Sequence, residues 1–315
     1  MSPCSSASIR FVAYAAAPAD PGGAAAERGA RTPEPASADD WYADYTLAPY
    51  DPPVDPSGRL RSVNLLYESF ADAGRLPWGL ELVRTLRDAL GPGSTVWGAK
   101  RAAGETSWEL YFYNPYRSHP GVTIENVVRV LEPLVAVRVD VDPALAWHMF
   151  SIELTQREID AGVIDRIHLY VNGSDRKGSS RCYELSDLGL RLENLYTFHD
   201  PAREMHEVLS RLASSVHLPA EPRHLASVLP AELVRCRRLC VSNKQRRDGV
   251  YFAGIESSQV GDFLERQAWP SGIREHLRAR PGAFDHILWD VGVNYRWDRE
   301  RAEVELEKSA VYATF

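Results

Sequence analysis

Two hydrophobic periodicities alternate along the chain from about residue 60. Stretches with apolar residues at every third or fourth position indicate amphipathic helices, and alternation of apolar and polar residues indicates strands with one buried face. Glycines end the second helical stretch at Gly91 and Gly93. The predicted helices cover residues 62–74, 76–90, 123–134, 201–217, 257–268 and 271–280. The predicted strands cover residues 95–101, 107–114, 134–140, 147–154, 165–172, 180–186, 190–199, 237–244, 249–255, 286–297 and 302–313.

The order of these elements predicts an α+β protein built around an antiparallel barrel. Short loops join consecutive strands, as in antiparallel pairs, and helices separate about five such pairs. A parallel doubly wound sheet would place a helix after every strand, so that class does not fit. About ten strands exceed what a twisted open sheet usually holds. The predicted fold is therefore a closed ten-stranded barrel of αββα repeats, surrounded by helices.

Strand alternation gives each polar side chain a direction. Successive strand residues point to opposite faces, so residues 107–114 have one aromatic and aliphatic face and one face on which Glu109 lies among tyrosines. A sheet with one wet face would show the same alternation. If the apolar faces pack under helices, the polar faces line a lumen wide enough for a ligand. These polar faces carry Glu109, Tyr111 and Tyr113; Ser151 and Glu153; Arg166, His168, Tyr170 and Asn172; Arg238, Cys240, Ser242 and Lys244; and Arg138 and Asp140.

The first 55 residues differ in composition from the rest. They are rich in Ala, Pro, Ser, Gly and Asp, which predicts a disordered leader at 1–55 followed by a single barrel domain at 56–315. Within the leader, Asp39, Asp40 and Asp44 have the spacing of the aspartate-rich motif of trans-prenyl synthases. They lie in a proline-rich stretch without a second such motif, so a solvated acidic segment is the favoured interpretation.

Charge and cysteine usage exclude several function classes. The net charge of −7 provides no strong basic field, so nucleic acid and membrane surfaces are not expected partners. No stretch approaches the roughly 18 apolar residues of a membrane span. The spacing of Cys4, Cys182, Cys236 and Cys240 forms no disulfide framework, which fits a reducing cytoplasm. Cys236 and Cys240 lack a second pair or a nearby histidine, so no metal-binding residues are predicted.

A family likeness is carried by residues 95–114, 239–264 and 304–315. These stretches resemble the ABBA-type aromatic prenyltransferases, and more closely their cyanobactin-type branch, which prenylates ribosomal peptides. The stretch "LCVSNKQRRDGVYFAGIESSQVGDFL" looks like that family's strand, turn, strand and helix, and "VELEKSAVYATF" looks like its closing aromatic strand. The stretch "TVWGAKRAAGETSWELYFYN" resembles its first hairpin. The likeness covers roughly residues 75–315 and is architectural, without an invariant signature.

This resemblance implies a mechanism. An allylic diphosphate co-substrate, dimethylallyl or geranyl, would ionise in the barrel, with or without Mg²⁺. Lysines and arginines would hold the diphosphate, and tyrosines would shield the allylic cation. Lys100 and Lys244 fall near the family's basic phosphate ligands. The family's basic residue on the second strand is replaced here by Trp108 or Glu109. The family's Arg-x-Lys pair on the middle strand is replaced by Tyr170 and Asn172.

Each candidate residue could instead have a purely structural role. Glu109 is the first choice for a general base and Glu153 the second, but either could instead pair with a cation in the lumen. His168 could be a base or a phosphate donor, or a hydrogen-bonded core histidine. Any single basic residue is more often solvated or paired, and any single tyrosine more often packs within a sheet. The candidates for diphosphate binding and cation shielding are Lys100, Arg138, Arg238, Lys244, Arg296, Tyr111, Tyr113, Tyr170, Tyr251 and Tyr295.

Three functions fit this sequence. The first is a cytoplasmic prenyltransferase whose acceptor is a peptide side chain, as in the biosynthesis of ribosomal peptide products, or an aromatic small molecule. The second is an acid–base enzyme of another class on the same barrel, using Glu109, Glu153 and His168. The third is a non-catalytic barrel that binds a small molecule or a peptide. Three or more basic side chains converging at one barrel end would favour the first.

Overall fold

The computed structural model describes residues 31–91, 93, 95–173 and 179–315, which form twelve strands and eight helices. The strands are β1 (Thr95–Ala102), β2 (Glu105–Tyr113), β3 (Ala136–Val137), β4 (Met149–Leu154), β5 (Val163–Ile164), β6 (Arg166–Asn172), β7 (Ser180–Ser186), β8 (Gly189–His199), β9 (Arg238–Lys244), β10 (Asp248–Ile255), β11 (Trp289–Asp298) and β12 (Glu303–Thr314). The helices are α1 (Val63–Asp72), α2 (Leu76–Leu90), α3 (Ile124–Leu131), α4 (Gln156–Ala161), α5 (Met205–Ala213), α6 (Pro222–Val228), α7 (Ser257–Arg266) and α8 (Ser271–Arg278).

Ten of these strands close into one antiparallel barrel. Around the barrel the order is β1, β12, β11, β10, β9, β8, β7, β6, β4 and β2, and β2 pairs with β1 to complete the circle. The last strand returns to the first, with Val96 opposite Thr314 and Ala102 opposite Lys308. The predicted fold class is therefore confirmed: the protein is a closed ten-stranded antiparallel barrel with helices around it.

The strand predicted at residues 134–140 is wrong as a barrel strand. Only β3 is extended there, and it pairs in parallel with β5 in a separate two-stranded sheet. Val135 and Val137 are both buried in the main core. Their alternation therefore reflects burial in the core outside the barrel, which a sequence pattern does not distinguish from membership of a barrel strand. Helices α4 and α6 lie in stretches for which the sequence predicted no helix.

The main hydrophobic core lies between the outer wall of the barrel and the helices. Trp108 and Phe112 on β2 are fully buried in it. Phe70 of α1 stacks on Trp108 with ring centroids 4.1 Å apart, and the Trp108 indole donates a hydrogen bond to Ser69 at 2.8 Å. Because burial of apolar surface is the dominant favourable contribution to folding, these contacts fix which face of β2 points outward. The opposite face, with Glu109, therefore points into the lumen.

Helix α4 is short, but a capping residue defines each of its ends. Thr155 accepts a hydrogen bond from the Glu158 backbone, and the Glu158 carboxylate accepts one from the Thr155 backbone at 2.8 Å. This reciprocal arrangement satisfies two backbone donors at the start of a helix. Gly162 ends α4 in the left-handed region, with φ of 64°. The chain turns there and returns to the barrel as β6.

The outer face of β8 is partly open to solvent. Leu190, Leu192 and Leu195 point outward and are 47%, 39% and 44% exposed. Leu188, in the turn that joins β7 to β8, is 94% exposed. This row of side chains, which we call the leucine stripe, is apolar surface outside the core.

Residues 31–55 belong to the packed structure. Pro35 forms a β-bridge with Leu60, and Arg61 forms an ion pair with Asp40 at 2.6 Å. Asp40 also accepts a hydrogen bond from the Ser37 backbone, so its carboxylate is used within the protein. The packed chain thus begins before the boundary at residue 56 that composition predicted. Residues 1–30 of the predicted leader lie outside the described residues.

Candidate functional site

A cavity of about 910 Å³ occupies the inside of the barrel. The inward faces of the barrel strands line it, and Tyr45 and Thr46 from the N-terminal segment complete it. The volume lies at the upper end of the range usual for small-molecule pockets. The predicted polar faces of β2, β4, β6 and β9 all contribute lining residues.

Five tyrosines encircle the middle of this cavity. They lie on β2, β6, β8, β10 and β12, which are alternate strands around the barrel. We call this set the tyrosine ring. Burial raises the pKa of each phenol well above its ordinary value, so the hydroxyls are protonated at neutral pH. Neighbouring ring centroids are 6.0–6.2 Å apart in the order Tyr111, Tyr170, Tyr196, Tyr251, Tyr312 and back to Tyr111.

Small residues on the intervening strands make room for the tyrosine ring. A Cβ atom added to Gly98 would lie 2.7 Å from the Tyr312 ring, and Ser151 lies between Tyr111 and Tyr170 on the strand that separates them. In a barrel, inward side chains from alternate strands form layers, and here large and small residues alternate within one layer. The small residues are Gly98 on β1, Ser151 on β4, Cys182 on β7, Cys240 on β9 and Gly292 on β11.

Glu109 is held by several groups beside the tyrosine ring. Its carboxylate forms an ion pair with Lys100 and accepts hydrogen bonds from Tyr111 and Ser151. His168 Nδ1 lies 3.6 Å from the same carboxylate. Burial alone would raise the pKa of Glu109, but the Lys100 charge and the contact with His168 hold it well below its ordinary value. Glu109 is therefore ionised and fixed in orientation.

A second carboxylate, Glu153, lies between two lysines. Lys100 Nζ is 3.1 Å and Lys308 Nζ 3.0 Å from the same Glu153 oxygen. Burial opposes ionisation of Glu153, but both ammonium groups lower its pKa below the ordinary value. Two carboxylates thus offset two lysines in this part of the cavity.

Lys244 completes a cationic cluster at the same end of the barrel. The chain has four lysines, and three of them, Lys100, Lys244 and Lys308, line the cavity. Lys244 donates hydrogen bonds to the hydroxyl of Tyr251 at 3.3 Å and to Asn294 Oδ1 at 3.2 Å. Burial and the positive charges of the other two lysines lower its pKa to about 7. We call the barrel end that carries these three residues the lysine end.

Residues 43–49 lie at the opposite end of the barrel. The Tyr45 backbone N–H donates to Asp290 at 2.7 Å, and the Tyr45 carbonyl accepts a hydrogen bond from Tyr113. Arg238 donates to Thr46 Oγ1 at 2.6 Å. The segment is thus bonded to β2, β9 and β11, across the width of the barrel.

The structure brings most of the predicted site residues together. Those that line the cavity are Glu109, Glu153, His168, Lys100, Arg238, Lys244, Tyr111, Tyr113, Tyr170 and Tyr251.

Three predicted positions lie outside the cavity. Arg138 is exposed, because the strand assigned to it is not part of the barrel. Tyr295 is fully buried in the outer core, since it shares the face of Val293 on β11. Arg296 lies among the exposed rim residues, where it pairs with Glu305 at 2.9 Å.

Sequence reasoning missed several cavity residues. Lys308 and Tyr312 lie in the closing strand, where the resemblance to the prenyltransferases points to no particular residue. Tyr196 lies on β8 two positions after Asn194, so strand alternation places both side chains on the same inward face. The clearest unused signal is the scarcity of lysine. With four lysines among 36 Lys and Arg residues, each lysine position carries more information than any arginine position.

The described residues contain neither a cluster that could bind a metal ion nor a helix that could span a membrane. In residues 31–315, apart from the gaps noted above, no group of three His, Cys, Asp or Glu side chains could hold a metal ion. Over the same residues, every helix is too short or too polar to cross a bilayer.

Comparison with known proteins leaves the site to be interpreted from its own geometry. A scan against models of protein families and a search of curated proteins both found no match to this chain.

Proposed function

We propose that this protein is a prenyltransferase that transfers an allylic group from its diphosphate to an aromatic or nucleophilic acceptor, in a peptide side chain or an aromatic small molecule. The observation that carries the proposal is the presence of the tyrosine ring and the three-lysine cluster in one cavity. An allylic diphosphate has the same two parts, an anionic head and a tail that becomes a cation.

The lysine end suits the anionic head. Lys244 has no carboxylate partner among the described residues, and Lys100 and Lys308 share Glu153. Arg247 also lines the cavity there, paired with Glu307 at 3.0 Å. These groups would offset the charge that develops on the diphosphate as the C–O bond breaks.

The tyrosine ring suits the tail. Aromatic faces attract a cation within about 6 Å of the ring centre, by about 0.5–2 kcal/mol for each favourable contact. Five adjoining rings around one lumen would surround the allylic cation while keeping bulk water away from it. Neutral phenols offer this attraction without acting as nucleophilic phenolates.

We assign the role of proton acceptor to His168 and not to Glu109. Glu109 has a pKa held well below its ordinary value, so it is a weak base. It lies 3.6 Å from His168 Nδ1 and would stabilise an imidazolium there. In this scheme the acceptor forms a bond to the allylic carbon, the bond from that carbon to the diphosphate oxygen breaks, and the acceptor's proton passes to His168. Pyrophosphate leaves with the electron pair.

A thermal-shift series tests binding. Dimethylallyl and geranyl diphosphates should raise the melting temperature, measured with and without Mg²⁺, and the matching alcohols should not. Lys308→Gln should weaken this shift, because it removes one cation from the lysine end. Absence of stabilisation by every chain length, with and without Mg²⁺, contradicts the proposal.

A second series tests catalysis. His168→Gln should leave the thermal shift with the diphosphates intact and slow transfer by roughly 10²–10⁴-fold. Glu109→Gln should slow it as well, through His168. Unchanged turnover in both variants would show that the proton goes elsewhere.

The contact between His168 and Glu109 also supports a second candidate, an acid–base enzyme that needs no diphosphate. The pair has the arrangement of a histidine base oriented by a carboxylate, with Glu153 nearby. Stabilisation by neutral aromatic ligands, together with no response to any diphosphate, would favour it.

A further inference from the structure

Lys244 differs from the other cavity lysines in its partners. Lys100 and Lys308 each bind carboxylates, whereas the Lys244 contacts are two neutral oxygens, the Tyr251 hydroxyl and Asn294 Oδ1. Among the described residues, no carboxylate pairs with its side chain. A lysine ammonium that is buried without a counter-charge has little to hold its third proton.

The hydrogen-bond count fits a neutral amine. A neutral lysine amine has two N–H groups and one lone pair, and two acceptors lie within hydrogen-bond distance of Nζ. The lone pair is then left for the cavity. An ammonium would bring a third N–H that these two contacts do not satisfy.

Cationic neighbours reinforce this state. Burial is the largest influence on Lys244, followed by the charges of Lys308, Lys100 and Arg247, and together they lower its pKa to about 7. A lysine desolvated next to other cationic groups is a known kind of activated nucleophile. The groups that face Lys244 are Lys100 from β1, Cys182 from β7, Tyr251 from β10, Asn294 from β11, Lys308 from β12 and Arg247 from the turn before β10.

We propose that Lys244 is a nucleophilic amine that forms an imine with an aldehyde bearing a phosphate group. The amine nitrogen adds to the carbonyl carbon, and the carbonyl oxygen then leaves as water together with the two amine protons. The Tyr251 phenol, which keeps its proton and lies beside Lys244, can donate a hydrogen bond to that oxygen. Lys308 and Arg247 supply the positive charge that attracts the phosphate. This activity goes beyond prenyl transfer and does not require an allylic substrate.

The small number of lysines in the chain simplifies a labelling test of this proposal. Besides the N-terminal amine, only four lysines can react, and Lys177 lies outside the described residues. Pyridoxal 5′-phosphate serves as the probe, because it is an aldehyde with a phosphate. Borohydride fixes any imine as a stable secondary amine, and peptide mapping by mass spectrometry locates it.

The expected result is selective labelling of Lys244. At pH 7 an amine with a pKa near 7 is about half neutral, whereas an ordinary lysine is almost fully protonated, so Lys244 should react more than about 10-fold faster than Lys177. The labelling rate should rise with pH and reach half its maximum near pH 7. Pyridoxal, which lacks the phosphate, should label more slowly, and inorganic pyrophosphate should slow labelling by the phosphate form.

Matched variants separate the proposal from its alternatives. Lys244→Arg keeps the positive charge but cannot form an imine, so its labelling should fall to that of Lys177. Lys308→Arg should still be labelled at Lys244. Equal labelling of all lysines, or labelling of Lys100 or Lys308 in preference to Lys244, overturns the proposal. The thermal shift of Lys244→Arg with geranyl diphosphate measures prenyl-substrate binding without imine formation. The prenyl-transfer proposal and the imine proposal can therefore fail independently.

Discussion

Lys308 and Glu153 form an ion pair inside the barrel, with 3.0 Å between Nζ and the carboxylate. Lys100 binds the same carboxylate oxygen at 3.1 Å and also pairs with Glu109. The carboxylates that sequence reasoning chose as bases are therefore the counter-charges of the lysine end. Their first role is to neutralise the charges of Lys100 and Lys308, so that these two lysines can be buried close together.

Glu153→Gln should destabilise the protein. Removing one partner of a buried ion pair typically costs roughly 3–5 kcal/mol, since it leaves the remaining charges uncompensated. Urea unfolding at pH 7 measures the loss. Glu305→Gln is the control, because Glu305 pairs with Arg296 at the exposed rim, and such pairs contribute about 1 kcal/mol or less. Equal effects of the two changes would contradict the role of Glu153.

The contribution of Glu153 should depend on pH in a defined direction. Its pKa in the folded protein lies below the ordinary value of 4.5. The stabilisation is therefore complete above about pH 5 and is lost as the pH falls below 4.5 toward the lower folded value. The stability difference between wild type and Glu153→Gln should be constant from pH 5 to 7 and shrink in acid. A difference that grows in acid would mean that the pKa of Glu153 is raised in the folded protein.

Tyr170 should act through its ring and not through its hydroxyl. Tyr170→Phe keeps the aromatic face, so turnover with an allylic diphosphate should remain within about threefold. Tyr170→Leu removes the face and should slow turnover roughly 10-fold, as expected for the loss of a cation–π contact of about 1–2 kcal/mol. Steady-state kinetics with dimethylallyl diphosphate measure both, and melting temperatures show whether each variant is folded. Loss of activity in Tyr170→Phe alone would point to the hydroxyl instead.

Gly98 should resist enlargement because of the tyrosine ring. In Gly98→Ala the new methyl would lie 2.7 Å from the Tyr312 ring, so the ring must move and unfolding stability should fall by about 1–3 kcal/mol. Gly261→Ala, in helix α7, meets nothing within 4 Å and should instead stabilise by roughly 0.5–1 kcal/mol. Chemical denaturation of both variants makes the comparison. A neutral Gly98→Ala would mean that Tyr312 has room to shift.

Asp290 should anchor the N-terminal segment to the barrel. Its two carboxylate oxygens accept the backbone N–H groups of Tyr45 at 2.7 Å and Gly254 at 2.9 Å. Asp290→Ala leaves both donors without this partner, so stability should fall by about 1–3 kcal/mol and amide exchange should accelerate in residues 43–49. Asp285→Ala, on the loop between α8 and β11, serves as the control. Unchanged exchange at Tyr45 would show that other contacts suffice to hold the segment.

The sequence predicted the barrel because its strongest signals are local. Alternation in residues 107–114 placed Glu109 and Tyr111 inward and Trp108 outward, and the structure has the same arrangement. The same signal failed at Arg138, because residues 134–140 lie outside the barrel sheet while Val135 and Val137 are buried in the core that surrounds it. Periodicity reports that a residue is buried, but not which element buries it.

The composition of the site depended on contacts between distant parts of the chain. Lys100 and Lys308 share Glu153 although more than 150 positions separate Lys308 from it. The tyrosine ring draws one residue from every second strand, so no single stretch of sequence contains it. Tyr45 was assigned to a disordered leader because proline and alanine dominate its surroundings, and its backbone contacts have no sequence signature.

The leucine stripe on β8 has a consequence for self-association. In an open sheet, exposed apolar residues beside an unpaired strand edge would offer both adhesion and a template for further strands. Here β8 pairs with β7 over residues 189–196 but with β9 only over residues 194–199, so among the described residues the β9 side of Leu190 and Leu192 has no strand partner. Contact through Leu190 and Leu192 can therefore combine leucine packing with pairing to a free strand edge, whereas Leu195 is paired on both sides and offers leucine packing alone.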